Sequence, residues 1–568
     1  MEIHDAYIAT HPGILEYDLN LDYPDAPPRV TPEGGINNQY ITPSRYRELF
    51  YNPDSEFRQY LLSHPEILVI VTTRGLPAAV SDSFDPAPRL HSPQEIHSSF
   101  EAALSRPGFG ILGEKISNPY YGSTMGFAEF LDASPDINPG DIYLVSRLDS
   151  KAPTTDVDGD GDIDEVDGVI GMINRSVDST VNIYASSIVV DGVSGAVSNT
   201  FLTETSVMLW NHGWCVQYDG TSQFIHGVND PSGNYDPETD GIYNEYPMIG
   251  LITLGTNQRM FDPHSEYVDQ RYVQGYIAHN SGVFISIESG NGWMLHDFDN
   301  YAGNWHQGQV LEWTGVAGGS FTIGNIQEPT IYTIPSSHYL FRNFLVQGLS
   351  WAESAYVSLP YLGFYQTPVG DPLAHITALN PDVSGDRVID NTDLDLVQGN
   401  IGMNDPSYED GDINHDGVID QIDVDLVLDA FGRDCASCPL PAWKKYGIGD
   451  LNNDCYVGLD DLSILLSQYG TTCDNRYCSD VCADLNGDGN VNLADLSQMM
   501  ANYDTRIGDF NGDGITNLDD LAYFLPLYTE AQGGCVGDPQ YEQSIDIDRD
   551  GCIGSFDLGL FFSCYSNG

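Results

Sequence analysis

Residues 141–177 read "DIYLVSRLDSKAPTTDVDGDGDIDEVDGVIGMINRSV". The first nine residues form an apolar run ending in Asp149, the pattern of a strand buried on both faces. The last ten, "GVIGMINRSV" (168–177), place apolar residues at helical spacing. Between them, Asp156 to Asp167 carry an oxygen side chain at every second position with a Gly in the sixth, the layout of a calcium loop. Strand, acidic loop and helix in one continuous stretch imply an α/β domain whose strand-to-helix connection is clipped by a metal ion. The position-twelve Asp167 then falls in the first helical turn, where negative charge is favourable.

Outward from this stretch the alternation continues. Strands are expected at 67–75, 181–192, 206–213, 247–255, 282–290 and 320–326, and helices at 44–62, 94–104, 165–177, 307–315 and 339–358. Strands alternating with helices imply a mainly parallel sheet covered on both faces. The expected layout is an irregular arm over 1–40, rich in Pro, Asp and Tyr, and an α/β domain over 41–376 with the 156–167 loop inserted.

After residue 376 the composition changes. Six more loops follow, each leading into about ten residues of helical periodicity, an internal repeat. They begin at Asp382, Asp412, Asp450, Asp484, Asp509 and Asp546. Calcium takes six to eight hard oxygens, and alternate residues of a tight loop point inward. The expected ligands of the inserted loop are Asp156, Asp158, Asp160, Asp162, Asp164 and Asp167. Those of the next two loops are Asp382, Ser384, Asp386, Val388, Asp390 and Asp393, then Asp412, Asn414, Asp416, Val418, Asp420 and Asp423. The fourth offers Asp450, Asn452, Asp454, Tyr456 and Asp461; the fifth Asp484, Asn486, Asp488, Asn490, Asn492 and Asp495. The sixth offers Asp509, Asn511, Asp513, Ile515, Asn517 and Asp520, and the last Asp546, Asp548, Asp550, Cys552 and Asp557. Position seven, whatever its residue, contributes its carbonyl. Position eight is Ile, Val or Thr, suited to a second loop or a core. Gly458 and Gly554 at position nine leave a place for water. Arg387 stands where position six should be Gly. The set implies up to seven Ca2+ ions, paired as 382–433, 434–504 and 505–568.

The chain has 83 Asp plus Glu against 21 Lys plus Arg, a formal charge of −62. Such a surface repels nucleic acid and anionic membranes. Aromatic residues at 11% argue against disorder, which leaves bound cations as the reason for the charge. No apolar run is long enough to span a membrane, and the start lacks the pattern of a secretory signal. Ten Cys are present. Nine of them, Cys435, Cys438, Cys455, Cys473, Cys478, Cys482, Cys535, Cys552 and Cys564, cluster among the loops as disulfide candidates in an oxidising compartment. Cys215 stands apart in "WNHGWC" (210–215), where it and His212 would lie on opposite faces of a strand.

Asp instead of Glu at position twelve, with a single helix per loop, resembles the dockerin type I repeat. The patterns Gly324 to Pro329, Glu353 to Tyr356 and Gly370 to Leu373, with "VTTRGLP" (71–77) and "YLVSRLD" (143–149), resemble an uncharacterised family of secreted bacterial proteins. That family is distantly similar to the gingipain and caspase-type peptidase fold. The resemblance implies a His and a Cys at two adjacent strand ends, and places Thr256 and Ser289 there instead. His264, His279 and His296 are the nearby candidate bases. It also implies a strand and helix preceding residue 40 that this chain does not display, so one sheet edge is expected to be missing or supplied by another chain.

The expectation is therefore no catalytic site, and a secreted, extracellular or cell-surface bacterial calcium protein that is structural or adhesive and assembles into a homo-oligomer or filament. The alternatives are a scaffold-anchored hydrolase using Ser289 or Cys215, and a dockerin-type module that binds a cohesin-like protein partner.

Overall fold

The computed structural model describes residues 2–14, 29–30, 36–37, 40–41, 43–81, 96–106, 115–138, 140–177, 179–192, 199–219, 224–231, 233–255, 271–288, 291–292, 308–326, 333–403, 406–435, 449–451, 455–471, 483, 485, 491–531, 542–545, 547 and 561. The chain divides into two compact units. The first comprises 1–191, 222–383 and 389–431; the second comprises 192–221, 384–388 and 432–568. The division does not follow the change of composition near residue 376.

The first unit is built on a mostly parallel sheet. In chain order its strands are β1 (Val69–Thr73), β2 (Leu144–Leu148), β3 (Ser187–Asp191), β4 (Met248–Thr253), β5 (Ala278–Ser286), β6 (Phe321–Asn325) and β7 (Gln366–Val369). They lie in the order β3-β4-β5-β6-β7-β2-β1. Neighbours are parallel except β6 and β7. β2, β3, β4 and β6 are buried at every residue, as their apolar runs require.

Several expectations need correction. Residues 96–99, expected within a helix, form a strand (Ile96–Ser99) ahead of the helix Phe100–Leu104. The helix expected over 44–62 breaks between Tyr51 and Glu56. The strand expected over 181–192 is two strands, Ser179–Asn182 and Ser187–Asp191. Residues 206–213 are not a strand: Asn199–Asn211 is a helix, ended by Gly213 at φ +90°. Its apolar run is short enough to fit either period, and Leu202, Leu209 and Trp210 share the buried helical face. Residues 339–358 are two helical pieces, Ser337–Phe341 running on to Val346 and then Trp351–Ser358, separated by Gly348 at φ +67°. The arm is not irregular throughout, because α1 (Glu2–Thr10) is helical.

β7 was not foreseen, and Pro368 is the reason. A proline inside a run argues against a central strand because it has no N–H to donate. Here residues 365, 367 and 369 face β6, as the bond from Ile326 N–H to the Tyr365 carbonyl shows. Pro368 therefore turns its nitrogen toward β2, where the ladder shrinks to the pair Val369–Arg147. The Ser146 hydroxyl, donating to the Gly370 carbonyl at 2.7 Å, spans the gap.

At the carboxyl end of β2, Arg147 is fully buried and fully engaged. Its Nε donates to Asp149, Nη1 to Glu101 and the Pro77 carbonyl, and Nη2 to the Leu76 carbonyl. Arg74, at the end of β1, donates to Asp149 at 3.1 Å and lies 3.3 Å from Glu165. Glu165 is the first residue of α2 (Glu165–Ser176), so the helix that leaves the inserted loop is tied to the sheet by charge.

α1 is held through Asp371, a buried carboxylate after β7. Tyr7 donates to its Oδ1 at 3.0 Å, and His11 Nε2 lies 3.2 Å from its Oδ2. The hydrogen bond with Asp371 lifts the His11 pKa above its ordinary range. Burial opposes this, while the Asp371 charge and the Tyr7 carbonyl reinforce it. A raised His pKa contributes stability below the unfolded value of about 6.5, and that contribution is lost as pH climbs through the folded value. Amide protection of residues 2–11 is therefore expected to fall as pH rises above about 6.5, and His11→Ala should flatten that profile. An identical pH profile in the variant would refute the latch.

Candidate metal centres

The described loops at 156, 412 and 509 share one hydrogen-bond scheme. In the loop at 156, Asp156 accepts from the N–H of Gly159 at 2.6 Å and Gly161 at 3.1 Å. In the loop at 412, Asp412 accepts from Asp416 and Gly417; in that at 509, Asp509 accepts from Gly512, Asp513 and Gly514. The first carboxylate thus gathers the turn around itself.

Position twelve closes the loop from the other end. Asp167 accepts from Val157, Asp158 and Asp164; Asp423 from Ile413, Asn414 and Asp420; Asp520 from Phe510, Asn511 and Asn517. Asp461 and Asp495 repeat this with Leu451 and Gly458, and with Leu485 and Asn492. Asp393 accepts from Asp390. Asp167, Asp393, Asp423, Asp461, Asp495 and Asp520 are all buried, at 1% exposure or less. Buried carboxylates require donors or cations.

Among the described residues, two loops bring three carboxylates to one point: Asp156, Asp158 and Asp167, and Asp509, Asp513 and Asp520, each set with oxygens within 4.8 Å of one another. At the first, the bond from the Asp160 N–H draws the Asp158 pKa down. Desolvation and the charges of Asp160, Asp167 and Asp156 outweigh it, so the net shift is upward. Burial pushes Asp167 up, but the N–H groups of Asp158, Asp164 and Val157 carry it below the usual range. Carboxylates crowded together in this way are what a divalent ion would relieve. These clusters could hold a metal ion; the oxygen-only donor set fits a hard cation.

Position nine serves the helix. Asp164, Asp390, Asp420, Asn492 and Asn517 each accept from the N–H two residues on, at 2.6–2.8 Å, and so cap the helix that follows. Among the expected ligands, Asn452, Asp454, Asp484, Asn486, Asp488 and Asn490 lie outside the described residues. So does the loop of Asp546, Asp548, Asp550, Cys552 and Asp557.

Position eight separates the inserted loop from the rest. Ile389, Ile419, Val457, Val491 and Thr516 are completely buried, whereas Ile163 is 52% exposed. The buried ones are bonded near the exits of neighbouring helices: Ile419 accepts from Gly402, Val491 accepts from Gly470 and donates to Thr471, and Val457 accepts from Asp504. Gly168 of α2 lies against the Lys151 carbonyl, where a Cβ would come within 2.2 Å.

Position six is left-handed in every described loop. Gly161, Gly417 and Gly514 adopt it freely. Arg387 and Cys455, both at φ +67°, do not have that freedom. Each is anchored outside its loop. The Arg387 guanidinium lies 3.6 Å over the Trp210 ring and donates to the Trp210 carbonyl at 2.7 Å, and Cys455 is disulfide-bonded.

Cys215 is disulfide-bonded to Cys435. Of the nine candidates, Cys435 and Cys455 are in disulfides; Cys438, Cys473, Cys478, Cys482, Cys535, Cys552 and Cys564 lie outside the described residues. A cystine sulfur is no nucleophile, so a role for Cys215 in hydrolysis is excluded. His212 sits at the end of its helix, its Nδ1 2.7 Å from the Met208 carbonyl.

β4 and β5 are adjacent and parallel, with Thr253 opposite Ser286. Thr256, His264, Ser289 and His296 lie outside the described residues. His279 is at the amino end of β5, away from the strand ends in question. The strand ends hold Glu288 instead, buried, accepting from the Tyr272 hydroxyl at 2.9 Å and packed where a Gly255 Cβ would come within 1.9 Å of it. Sequence reasoning missed this pair. The motif residues have structural work: Glu353 caps its own helix through Ser350 and accepts from Phe127 N–H, Gly370 at φ +139° sits against Phe321 and Trp351, and Asp371 holds α1.

No family model, curated protein or solved structure matches the chain. Among the described residues no helix is long and apolar enough to cross a membrane.

Proposed function

We propose that this is a secreted calcium-binding protein with a structural or adhesive role, assembling with copies of itself. The observation that carries the reading is the shared loop geometry, in which a buried position-twelve aspartate and a turn-gathering position-one aspartate recur in both units. The loops are read as dockerin-like calcium repeats and the sheet as a degenerate gingipain-like domain, with calcium serving as a structural clip. The disulfide between Cys215 and Cys435 supports an oxidising, extracellular setting.

Calorimetric titration of the chelator-treated chain with Ca2+ is expected to show several sites, and light scattering should rise as they fill. Silent titration would end the calcium reading; binding without assembly would end the structural one. Asp156→Ala with Asp160→Ala should lower the melting temperature of the first unit in calcium and leave it nearly unchanged in chelator. For one site held at 100 times its dissociation constant the loss is about 2.7 kcal/mol.

A further inference from the structure

We propose that the outer edge of β1 is a two-fold interface with a second copy of this chain, the two β1 strands pairing antiparallel about Ile70. This names the contact behind the assembly reading above and rests on that reading.

β1 is the last strand in the sheet. Its even residues serve β2: Leu144 N–H donates to the Leu68 carbonyl, and Arg74 N–H to the Leu148 carbonyl. The odd residues therefore present their backbone groups outward. Two of these groups are used locally, Ile67 N–H by the His64 carbonyl at 3.1 Å and the Thr73 carbonyl by Leu76 N–H at 3.2 Å. The Ile67 carbonyl, both groups of Val69, both groups of Val71 and Thr73 N–H have no partner among the described residues.

That inventory is self-complementary. With Ile70 on the axis, Val69 of one copy opposes Val71 of the other, and Ile67 opposes Thr73. Each opposed pair exchanges two bonds. The bond from Ile67 N–H to the Thr73 carbonyl is missing, and those are the two groups already engaged within each chain. Every group left open meets an open group. Centring on Val71 instead would set the occupied Thr73 carbonyl against Val69 N–H. In the Ile70 register Glu66 of each copy lies opposite Arg74 of the other, whose guanidinium is already held by Asp149 and Glu165 of its own chain, so the pairing rests on the backbone groups.

The side chains agree. Residues 67–73, "ILVIVTT", contain no charge and no proline. This is the composition of an interior strand, not of the charged or interrupted strands that normally guard an edge. In a chain of formal charge −62, copies repel across most of the surface; this strip is neutral.

The test is sedimentation velocity of the full chain in calcium over a range of concentrations, with Val71→Pro as the variant. That change removes an outward N–H that has no partner among the described residues. Wild type should form a dimer that dissociates on dilution, and the variant should weaken it about tenfold or more. Wild-type amide exchange provides a second measurement should the variant fold poorly: protection at Val69, Val71 and Thr73 should increase with protein concentration. Protection independent of concentration would assign the edge to a segment of the same chain and overturn the proposal. Calcium-dependent assembly undiminished in a folded Val71→Pro would overturn this interface while leaving the assembly reading intact. Monomers at every concentration would overturn both.

Discussion

Chelation of calcium is expected to melt the second unit at a temperature where the calcium-loaded chain is folded. Its loop pair at 450 and 484 has a small described core: Leu451, Val457, Leu465, Ala483, Leu485, Val491 and Met499. Against this stand the buried Asp461 and Asp495. Backbone donors satisfy part of each carboxylate, but its charge remains in a desolvated site. With free ion at 100 times the dissociation constant, each occupied loop adds about 2.7 kcal/mol, so a filled pair gains roughly 5 kcal/mol. That is comparable to the whole stability of a small domain, about 5–15 kcal/mol. Differential scanning calorimetry in calcium and in chelator checks this. Superimposable thermograms would mean that the carboxylates need no ion.

Loss of the Cys215–Cys435 bridge should have an effect of similar size. Its two cysteines are separated by 220 residues in sequence. Removing a native disulfide typically costs about 2–5 kcal/mol. The surroundings add to that here. Trp210 donates from Nε1 to the Cys435 carbonyl at 3.1 Å, and Cys435 donates its N–H to the Arg387 carbonyl at 2.9 Å. Arg387 in turn covers the Trp210 ring. Cys215→Ser with Cys435→Ser should therefore shift the urea midpoint of the second unit downward and expose Trp210 to quenchers earlier in the transition. An unshifted midpoint would show that packing alone holds this corner.

What the sequence disclosed follows from which signals are local. The turns and helix caps of the described loops were legible because the turn glycine and the capping residue lie within twelve consecutive residues, and the hydrogen bonds follow that spacing. β1, β2, β4 and β6 were legible from their apolar runs, and β2, β4 and β6 are buried at every residue. β7 was hidden by Pro368, tolerated only because the β2 ladder stops beside it. The helix at 199–211 was hidden because a short apolar run fits either period. The partner of Cys215 was not legible at all, since pairing across 220 residues is decided by tertiary structure. The Glu288–Tyr272 pair was equally silent, because neither residue belongs to a spacing pattern.

The two anchored position-six residues bear on the order in which the chain can fold. A loop with glycine there holds everything its turn requires, and it is free to close as soon as its twelve residues have been synthesised. The loops carrying Arg387 and Cys455 have given up that autonomy. The turn at Arg387 is secured only when Trp210, from far upstream, has been brought alongside, and the turn at Cys455 only when its sulfur has been oxidised. Three of the described loops are thus positioned to act early, as local nuclei, and two to act late, as locks that engage once the surrounding chain has arrived.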